Sequence, residues 1–274
     1  MQDVSADYQE SSVVDKNITR LIALDFDGTS AVYEPRMELH RGVLDILTQV
    51  DGTGVGWVFN SDRYTETLMD IARMIAPAFR PEAILSAQRF IHVRTVNGSY
   101  EPLQPWNDSR MALHCELWRD IAPCFDDWQR AIESEFTIRD CVVNDLVFAY
   151  MVPADENELL RERMRSYIRP WPHAQLSGNH EWSFVLHADF SKANLLEQYC
   201  TVRGIAPEKI IAVGDGFNDI SMLDARLTPH VGCPSDACPE VCAAVRDAGG
   251  YIAENSGPEG TVEVIQYYRD RLQF

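Results

Sequence analysis

The run Leu21-Ile22-Ala23-Leu24 is apolar at every position and breaks at once into Asp25-Phe26-Asp27-Gly28-Thr29. A strand that is apolar at successive positions, instead of alternate ones, must be covered on both faces, as in the centre of a parallel sheet. The two carboxylates then stand at its carboxyl end, where open α/β sheets place their ligands. Residues i and i+2 of an extended chain point to the same side, so Asp25 and Asp27 start out facing one site, and Gly28 leaves the backbone free to turn away. Two carboxylates at the end of a buried strand are costly to keep together unless a cation or a proton transfer uses them.

One of the pair suits attack on phosphorus and the other the handling of a proton. A carboxylate that approaches a phosphoryl group brings two anions together and so needs a divalent ion, and oxygen ligands suit Mg2+. Taken alone, an Asp-x-Asp-Gly loop is equally a solvated turn or a helix cap. A second acidic strand end favours the catalytic reading. Ile210-Ile211-Ala212-Val213 is another continuous apolar run and ends in Gly214-Asp215-Gly216-Phe217-Asn218-Asp219. Asp215 is placed to complete the metal site, and Asp219, further along the same turn, to support it directly or through water.

With these motifs the chain resembles the haloacid dehalogenase superfamily of phosphohydrolases. That family carries a Ser or Thr at the end of the next strand, matched by Ser61 in Gly56-Trp57-Val58-Phe59-Asn60-Ser61, and a Lys, matched by Lys192 in Phe190-Ser191-Lys192-Ala193. The stretches from Val231 to Ala237 and from Gly249 to Val264 look like the closing segments of the subgroup acting on sugar phosphates. The resemblance implies that Asp25 attacks phosphorus and becomes an aspartyl phosphate, and that Asp27 protonates the leaving alcohol and then activates water. It implies Mg2+ held by the Asp25 carboxylate, the Asp27 backbone carbonyl and Asp215. Ser61 is expected to hydrogen-bond a phosphoryl oxygen, and Lys192 to neutralise charge on the phosphate and on Asp25. Outside that context Ser61 reads as a cap for the helix starting near Thr65, and Lys192 as a solvated lysine. The chain departs from the family beside Ser61, where relatives often have Gly then Arg and this chain has Asp62-Arg63. Such a carboxylate repels phosphate unless Arg63 pairs with it or it turns outward, and Asp62 has no assigned role.

The expected fold is α/β: a Rossmann-like doubly wound parallel sheet made by residues 18–104 and 188–274, with an inserted α/β cap of the C2 type at 105–187 and a loose tail at 1–17. A chain of 274 residues, 46% hydrophobic, is long enough for one large domain and an insert. Pro102, Pro105, Asn107 and Asp108 mark the crossing into the insert. Helical periodicity runs from Ser109 to Glu133 with a break at Pro123. Hairpins are expected around Asn144-Asp145 and Gly178-Asn179, with a helix from Glu156 to Ile168 between them. Among the relatives, a cap with this order of elements is that of phosphatases acting on trehalose or sucrose phosphates and of Cof-like hydrolases. Substrate choice should lie there. The polar hairpin tip Asn179, His180 and Glu181 with Trp182 suits sugar hydroxyls and a ring face, or else is a solvated turn with a cap-core tryptophan. Trp106, Trp118, Trp128 and Trp171 read as core or interface aromatics.

A net charge of −18 argues against a nucleic-acid partner. It also means that an anionic small-molecule substrate needs a local positive well from Lys192, Arg63, the metal and helix amino termini. No apolar run approaches the roughly 20 residues of a membrane span, and Met1 to Asn17 lacks the form of a signal peptide, so a cytoplasmic protein is expected. Seven cysteines without a Cys-x-x-Cys pair suggest reduced thiols, with Cys233, Cys238 and Cys242 as small packing residues. The expected activity is Mg2+-dependent hydrolysis of a small phosphorylated metabolite, a sugar phosphate. The alternatives are a phosphotransferase or mutase using the same aspartyl phosphate, and a non-catalytic ligand-binding relative.

Overall fold

The computed structural model describes residues 18–50, 53–179 and 181–274, so the segment read as a tail and His180 lie outside the described residues. The first part of the chain forms β1 (Arg20–Leu24), β2 (Ala31–Val32), β3 (Glu38–Leu39), α1 (Arg41–Gln49), β4 (Val55–Ser61), α2 (Thr65–Met74), β5 (Ala83–Ser86), β6 (Phe90–Arg94) and β7 (Tyr100–Pro102). The middle adds α3 (Trp106–Ile121), α4 (Phe125–Glu135), β8 (Asp140–Val143), β9 (Phe148–Met151), α5 (Asn157–Ile168), β10 (Ala174–Gly178) and β11 (Trp182–His187). The chain then continues through α6 (Lys192–Arg203), β12 (Ile210–Val213), β13 (His230–Cys233), α7 (Pro239–Asp247), β14 (Tyr251–Ile252) and α8 (Gly257–Leu272).

The large sheet has eight strands in the order β14-β13-β12-β1-β4-β5-β6-β7. β1 lies at its centre, pairing in parallel with β12 on one side and β4 on the other. Its apolar run divides as a doubly covered strand must. Leu21 and Ala23 enter one core with Leu195, Leu196 and Tyr199 of α6, while Ile22 and Leu24 enter the other with Val43 of α1, Leu68 of α2 and Ile265 of α8. Burying each such side chain stabilises by about 1.5–3 kcal/mol, which makes the central strands rigid supports for what stands at their ends.

The sheet is not parallel throughout. β6 pairs antiparallel with β5, and β7 with β6. Only Ala87, Gln88 and Arg89 separate β5 from β6, far too few for a crossover, and Ala87 (φ 50°) and Gln88 (φ 54°) turn the chain back through the left-handed region.

A second sheet, antiparallel and ordered β10-β11-β9-β8, packs with α3, α4 and α5 around a separate core that includes Trp118, Trp128, Phe148 and Tyr150. The Asn144 side-chain oxygen accepts the N–H groups of Leu146 and Val147, closing the first hairpin where the Asn-Asp pair announced it. The helical break at Pro123 is a 3-10 turn, Ala122–Cys124, between α3 and α4. Trp171 packs edge-on to Trp128 at 5.6 Å between ring centroids, and Trp106 donates its indole N–H to the Arg89 carbonyl at 3.2 Å. Cys233 and Cys242 are buried in the core of the large sheet. No helix among the described residues is long and apolar enough to cross a membrane.

Candidate active site

Asp25 follows directly on β1, and Asp215 follows β12 after Gly214; the two strands are hydrogen-bonded neighbours, so strand pairing brings the two carboxylates to one end of the sheet. Asp25 continues the ladder by donating its N–H to the Val213 carbonyl at 3.0 Å. One carboxylate oxygen from each of Asp25, Asp215 and Asp219 lies within 4.8 Å of the others, and all three residues are buried. Lys192 reaches this cluster from the first residue of α6. The helix is started by Ser191, whose hydroxyl accepts the Asn194 N–H, and stopped by Gly204 in the left-handed conformation (φ 62°). Its ammonium donates to Asp25 Oδ1 at 2.6 Å and to Asp219 Oδ1 at 2.5 Å, fully buried.

Asp219 is committed on both oxygens. Oδ1 takes Lys192 and Oδ2 accepts the backbone N–H groups of Asp215 (3.0 Å) and Gly216 (2.9 Å), which shapes the turn that presents Asp215. Burial, then the neighbouring charge of Asp219, push the Asp25 carboxyl well above the usual carboxylate range against the pull of Lys192. Burial raises Asp219 to about 6, again opposed by Lys192. The Lys192 ammonium thus serves two of the three buried carboxyl groups, Asp25 and Asp219, while Asp215 accepts from Thr29. A divalent cation with a preference for hard oxygen donors fits this set in ligand type, spacing and charge.

The side chain of Asp27 lies outside this cluster. Arg63 Nε donates to its Oδ2 at 2.8 Å, and Arg63 Nη2 and the Tyr33 hydroxyl each donate to its Oδ1 at 2.5 Å. Arg63 therefore pairs with Asp27 and not with Asp62. Asp62, whose charge was expected to be a problem, is half-buried and accepts hydrogen bonds from Gln88 Nε2 (2.9 Å) and Asn218 Nδ2 (2.6 Å). Gln88 also donates to Ser177 Oγ of β10 at 2.9 Å, so these side chains link the large sheet to the insert. Ser61 is the buried last residue of β4, beside β1, and its hydroxyl accepts the Arg63 N–H at 3.3 Å. It does not cap α2, which begins after Tyr64 without a side-chain cap.

Sequence reasoning missed two residues. Thr29 Oγ donates to Asp215 Oδ1 at 2.6 Å, and Tyr33 reaches Asp27 from the short hairpin of β2 and β3. Thr29 stood inside the quoted pentapeptide, but only the pairing of β1 with β12 shows what it touches. Gly28 has a second function besides turning. At φ 75°, a Cβ there would lie 2.3 Å from Asp215 Oδ2 and 2.8 Å from its Cγ. Gly28→Ala should displace the Asp215 carboxylate and lower turnover about 100-fold, the cost of a misplacement near 1 Å. Steady-state kinetics of the variant checks this, and an unaltered rate would show that Asp215 is not held where the chemistry needs it.

A cavity of about 740 Å³ covers these groups. Asp25, Asp27, Asp62 and Asp215 stand on its floor, and Val142, Leu146, Ala149 and Phe184 of the insert form an apolar roof. Asn179, Glu181 and Trp182 share the cavity, although Asn179 spends its side-chain oxygen on the N–H groups of Glu181 and Trp182 and so builds the hairpin tip.

Acidic groups at the tips of parallel strands, a lysine donating to two of them and an α/β unit over the pocket make a site chemically suited to a cation and an anionic ligand. Residues 129–227, which hold Lys192, Asp215 and Asp219, match the haloacid dehalogenase-like hydrolase family model. The chain is 29% identical over 133 residues to a phosphoglycolate phosphatase of Methanospirillum hungatei, an alignment covering 46% of this chain and 48% of that protein, so it spans about half the length of this curated relative. In fold it is similar to the sucrose-phosphatase of Synechocystis sp. PCC6803 solved with sucrose and phosphate (TM-score 0.67, 16% identity, 91% of this chain and 98% of that one). It is likewise similar to a subclass IIB sugar phosphatase (TM-score 0.62, 15% identity, 91% and 99%). The family match is thus confined to residues 129–227, while the likeness in fold to these sugar phosphatases extends over nine-tenths of the chain.

Proposed function

We propose that this protein is a Mg2+-dependent phosphatase of a small phosphorylated metabolite, a sugar phosphate in the first instance, that works through a phosphorylated Asp25. The observation that carries this reading is the Lys192 ammonium bridging Asp25 and Asp219 within the acidic cluster, beneath a roofed cavity large enough for a sugar phosphate. Relatives in sequence and fold that are named as phosphatases support it.

Mg2+ would be held by the Asp25 carboxylate, the Asp27 backbone carbonyl and Asp215, with Asp219 behind them, and when bound it supplies the positive charge that lets an anionic nucleophile meet an anionic ester. The chain's own groups do the rest. An Asp25 oxygen forms the new bond to phosphorus, and the bond from phosphorus to the alcohol oxygen breaks. Lys192 fixes the Asp25 carboxylate and offsets charge on the phosphoryl oxygens, to one of which the Ser61 hydroxyl donates. Asp27 gives its proton to the departing alcohol oxygen, then takes one from the water whose oxygen bonds to phosphorus as the Asp25–phosphorus bond breaks, which releases inorganic phosphate and restores the Asp25 carboxylate. Among the described residues Oδ2 of Asp27 carries the Arg63 Nε donor alone and is the oxygen with room for that proton, whereas Oδ1 is occupied by Tyr33 and Arg63. Residues 105–187 act as the cap, excluding water and contacting the leaving group.

Release of inorganic phosphate from a panel of sugar phosphates, with Mg2+ and with a chelator, tests the proposal. Steady release that needs the cation supports a hydrolase. Little release accompanied by transfer of phosphate between positions of the sugar would identify a mutase instead. Asp27→Asn is expected to slow alkyl phosphates about 100-fold or more while phosphorylation of Asp25 by aryl phosphates, whose leaving groups need no proton, is affected far less. Equal slowing of both in single-turnover assays would remove the acid role from Asp27.

A further inference from the structure

We propose that Arg89 recognises the substrate through an oxyanion, a carboxylate or a second phosphate, carried on the alcohol portion of the phosphoester. The inference rests on the phosphatase reading above and narrows its substrate class. Arg89 lines the same cavity as Asp25 and is 6% exposed. A buried guanidinium ordinarily has an anionic partner. Arg94 shows the rule in this molecule: 7% exposed, it donates to Glu82 at 2.7 Å. Arg89 has no carboxylate partner among the described residues.

Its acceptors are all neutral. Nη1 meets His114 Nδ1 at 2.8 Å, Nη2 donates to the Leu146 carbonyl at 3.1 Å and Nε to the Ala87 carbonyl at 3.4 Å. Burial pushes the His114 imidazole down to about 4, so it is an uncharged acceptor for Arg89 with its other nitrogen on the Asp145 carbonyl. The faces of Phe90 and Phe190 lie 5.5 and 5.8 Å from the guanidinium carbon. Of the five N–H donors of an arginine, these contacts use three, which leaves two for a ligand. Burial without a countercharge draws the guanidinium down to about 10. Arg63, the other arginine of the cavity, is already bound to Asp27.

The segment carrying Arg89 is held in a sparsely populated conformation. Ala87 and Gln88 have φ of 50° and 54° without being glycine, and Gln88 is tied to both Asp62 and Ser177. Non-glycine residues in the left-handed region persist where the surroundings over-determine them, most often at functional sites. A prearranged cation under an apolar roof, in a cavity whose floor is acidic, favours a leaving group that brings its own negative charge.

Arg89 also joins the large sheet to the insert through His114 and Leu146, so the test must separate recognition from a purely structural staple. Phosphate release by the full chain with Mg2+ is measured for 2-phosphoglycolate, fructose 1,6-bisphosphate, glucose 6-phosphate and the chromogenic p-nitrophenyl phosphate, for wild type, Arg89→Lys and Arg89→Gln. Recognition predicts that Arg89→Gln raises KM about 100-fold for whichever oxyanion-bearing probe the wild type prefers, changes p-nitrophenyl phosphate less than about 3-fold, and leaves Arg89→Lys between them. The first two probes separate a carboxylate from a second phosphate. Uniform loss on all four, or a wild type that favours glucose 6-phosphate, overturns the proposal.

A readout free of any variant is inhibition of wild-type p-nitrophenyl phosphate hydrolysis, where glycolate and glycerate should inhibit and glycerol should not. Equal inhibition by all three overturns the inference. If the wild type hydrolyses none of the four probes, the phosphatase reading itself has failed. Calorimetric binding of 2-phosphoglycolate and fructose 1,6-bisphosphate against glucose 6-phosphate then decides the role of Arg89: tighter binding of either oxyanion-bearing probe upholds it, and the lack of any such preference overturns it.

Discussion

Asp25→Asn will abolish phosphate release, by about 10⁴-fold or more, while the protein stays folded. The amide keeps the volume of the carboxyl but offers no nucleophilic oxygen, and loss of a covalent nucleophile carries penalties of this order. The fold should tolerate the change within about 1 kcal/mol. Burial already pushes the Asp25 carboxyl upward, and Lys192 keeps its second partner in Asp219. Rates with a sugar phosphate and thermal melts of both proteins provide the check. A variant that still released phosphate at a tenth of the normal rate would end the nucleophile assignment.

The second large effect is expected at Lys192. Its ammonium is fully buried between Asp25 and Asp219, and those charges hold it above the ordinary lysine range despite burial. Lys192→Met preserves most of the apolar stem and removes the cation, so the remaining carboxyl groups face one another without compensation. Breaking a buried pair by deleting one partner costs about 3–5 kcal/mol, and loss of the charge beside the phosphoryl group should lower turnover about 10²- to 10³-fold as well. Urea denaturation measures the first effect and single-turnover kinetics the second. Lys192→Arg should not restore the rate, because a planar fork does not replace a compact ammonium with partners at 2.6 and 2.5 Å. Full activity in the methionine variant would show that the lysine only fills space.

What could be read in advance followed from how buried strands differ from half-buried ones. Successive apolar residues at Leu21 to Leu24 and Ile210 to Val213 carried the parallel centre of the sheet, because strands covered on both faces leave no polar side to record. The acidic tips came with their position at the ends of those runs, whereas Ser61 and Lys192 were singled out by the resemblance alone, their local reading being a helix cap and a solvated lysine. The insert was legible because its hairpins turn at Asn-Asp and Gly-Asn, which keep their own local chemistry.

Other features had no local signal. Arg63 and Asp27 stand 36 positions apart and meet only because β1 and β4 pair. Tyr33 sits just beyond a strand of two residues, too short for any periodicity. The reversal after β5 is made by Ala87 and Gln88, neither of which advertises a left-handed backbone. It hid both the antiparallel edge of the sheet and the environment of Arg89. Asp62 looked like an intruder because its partners, Gln88 and Asn218, come from two other loops.

The insert leaves the cavity along β11, which ends at His187, and the main body resumes with Lys192 as the opening residue of α6. The insert therefore rejoins the main body within a few residues of the buried Lys192 ammonium. Asn60 pins that junction by donating to the Lys192 carbonyl at 3.0 Å, and Ser191 clamps the helix start. The passage from the insert to the main body is thus short and fixed by both Asn60 and Ser191, next to the ammonium that joins Asp25 to Asp219.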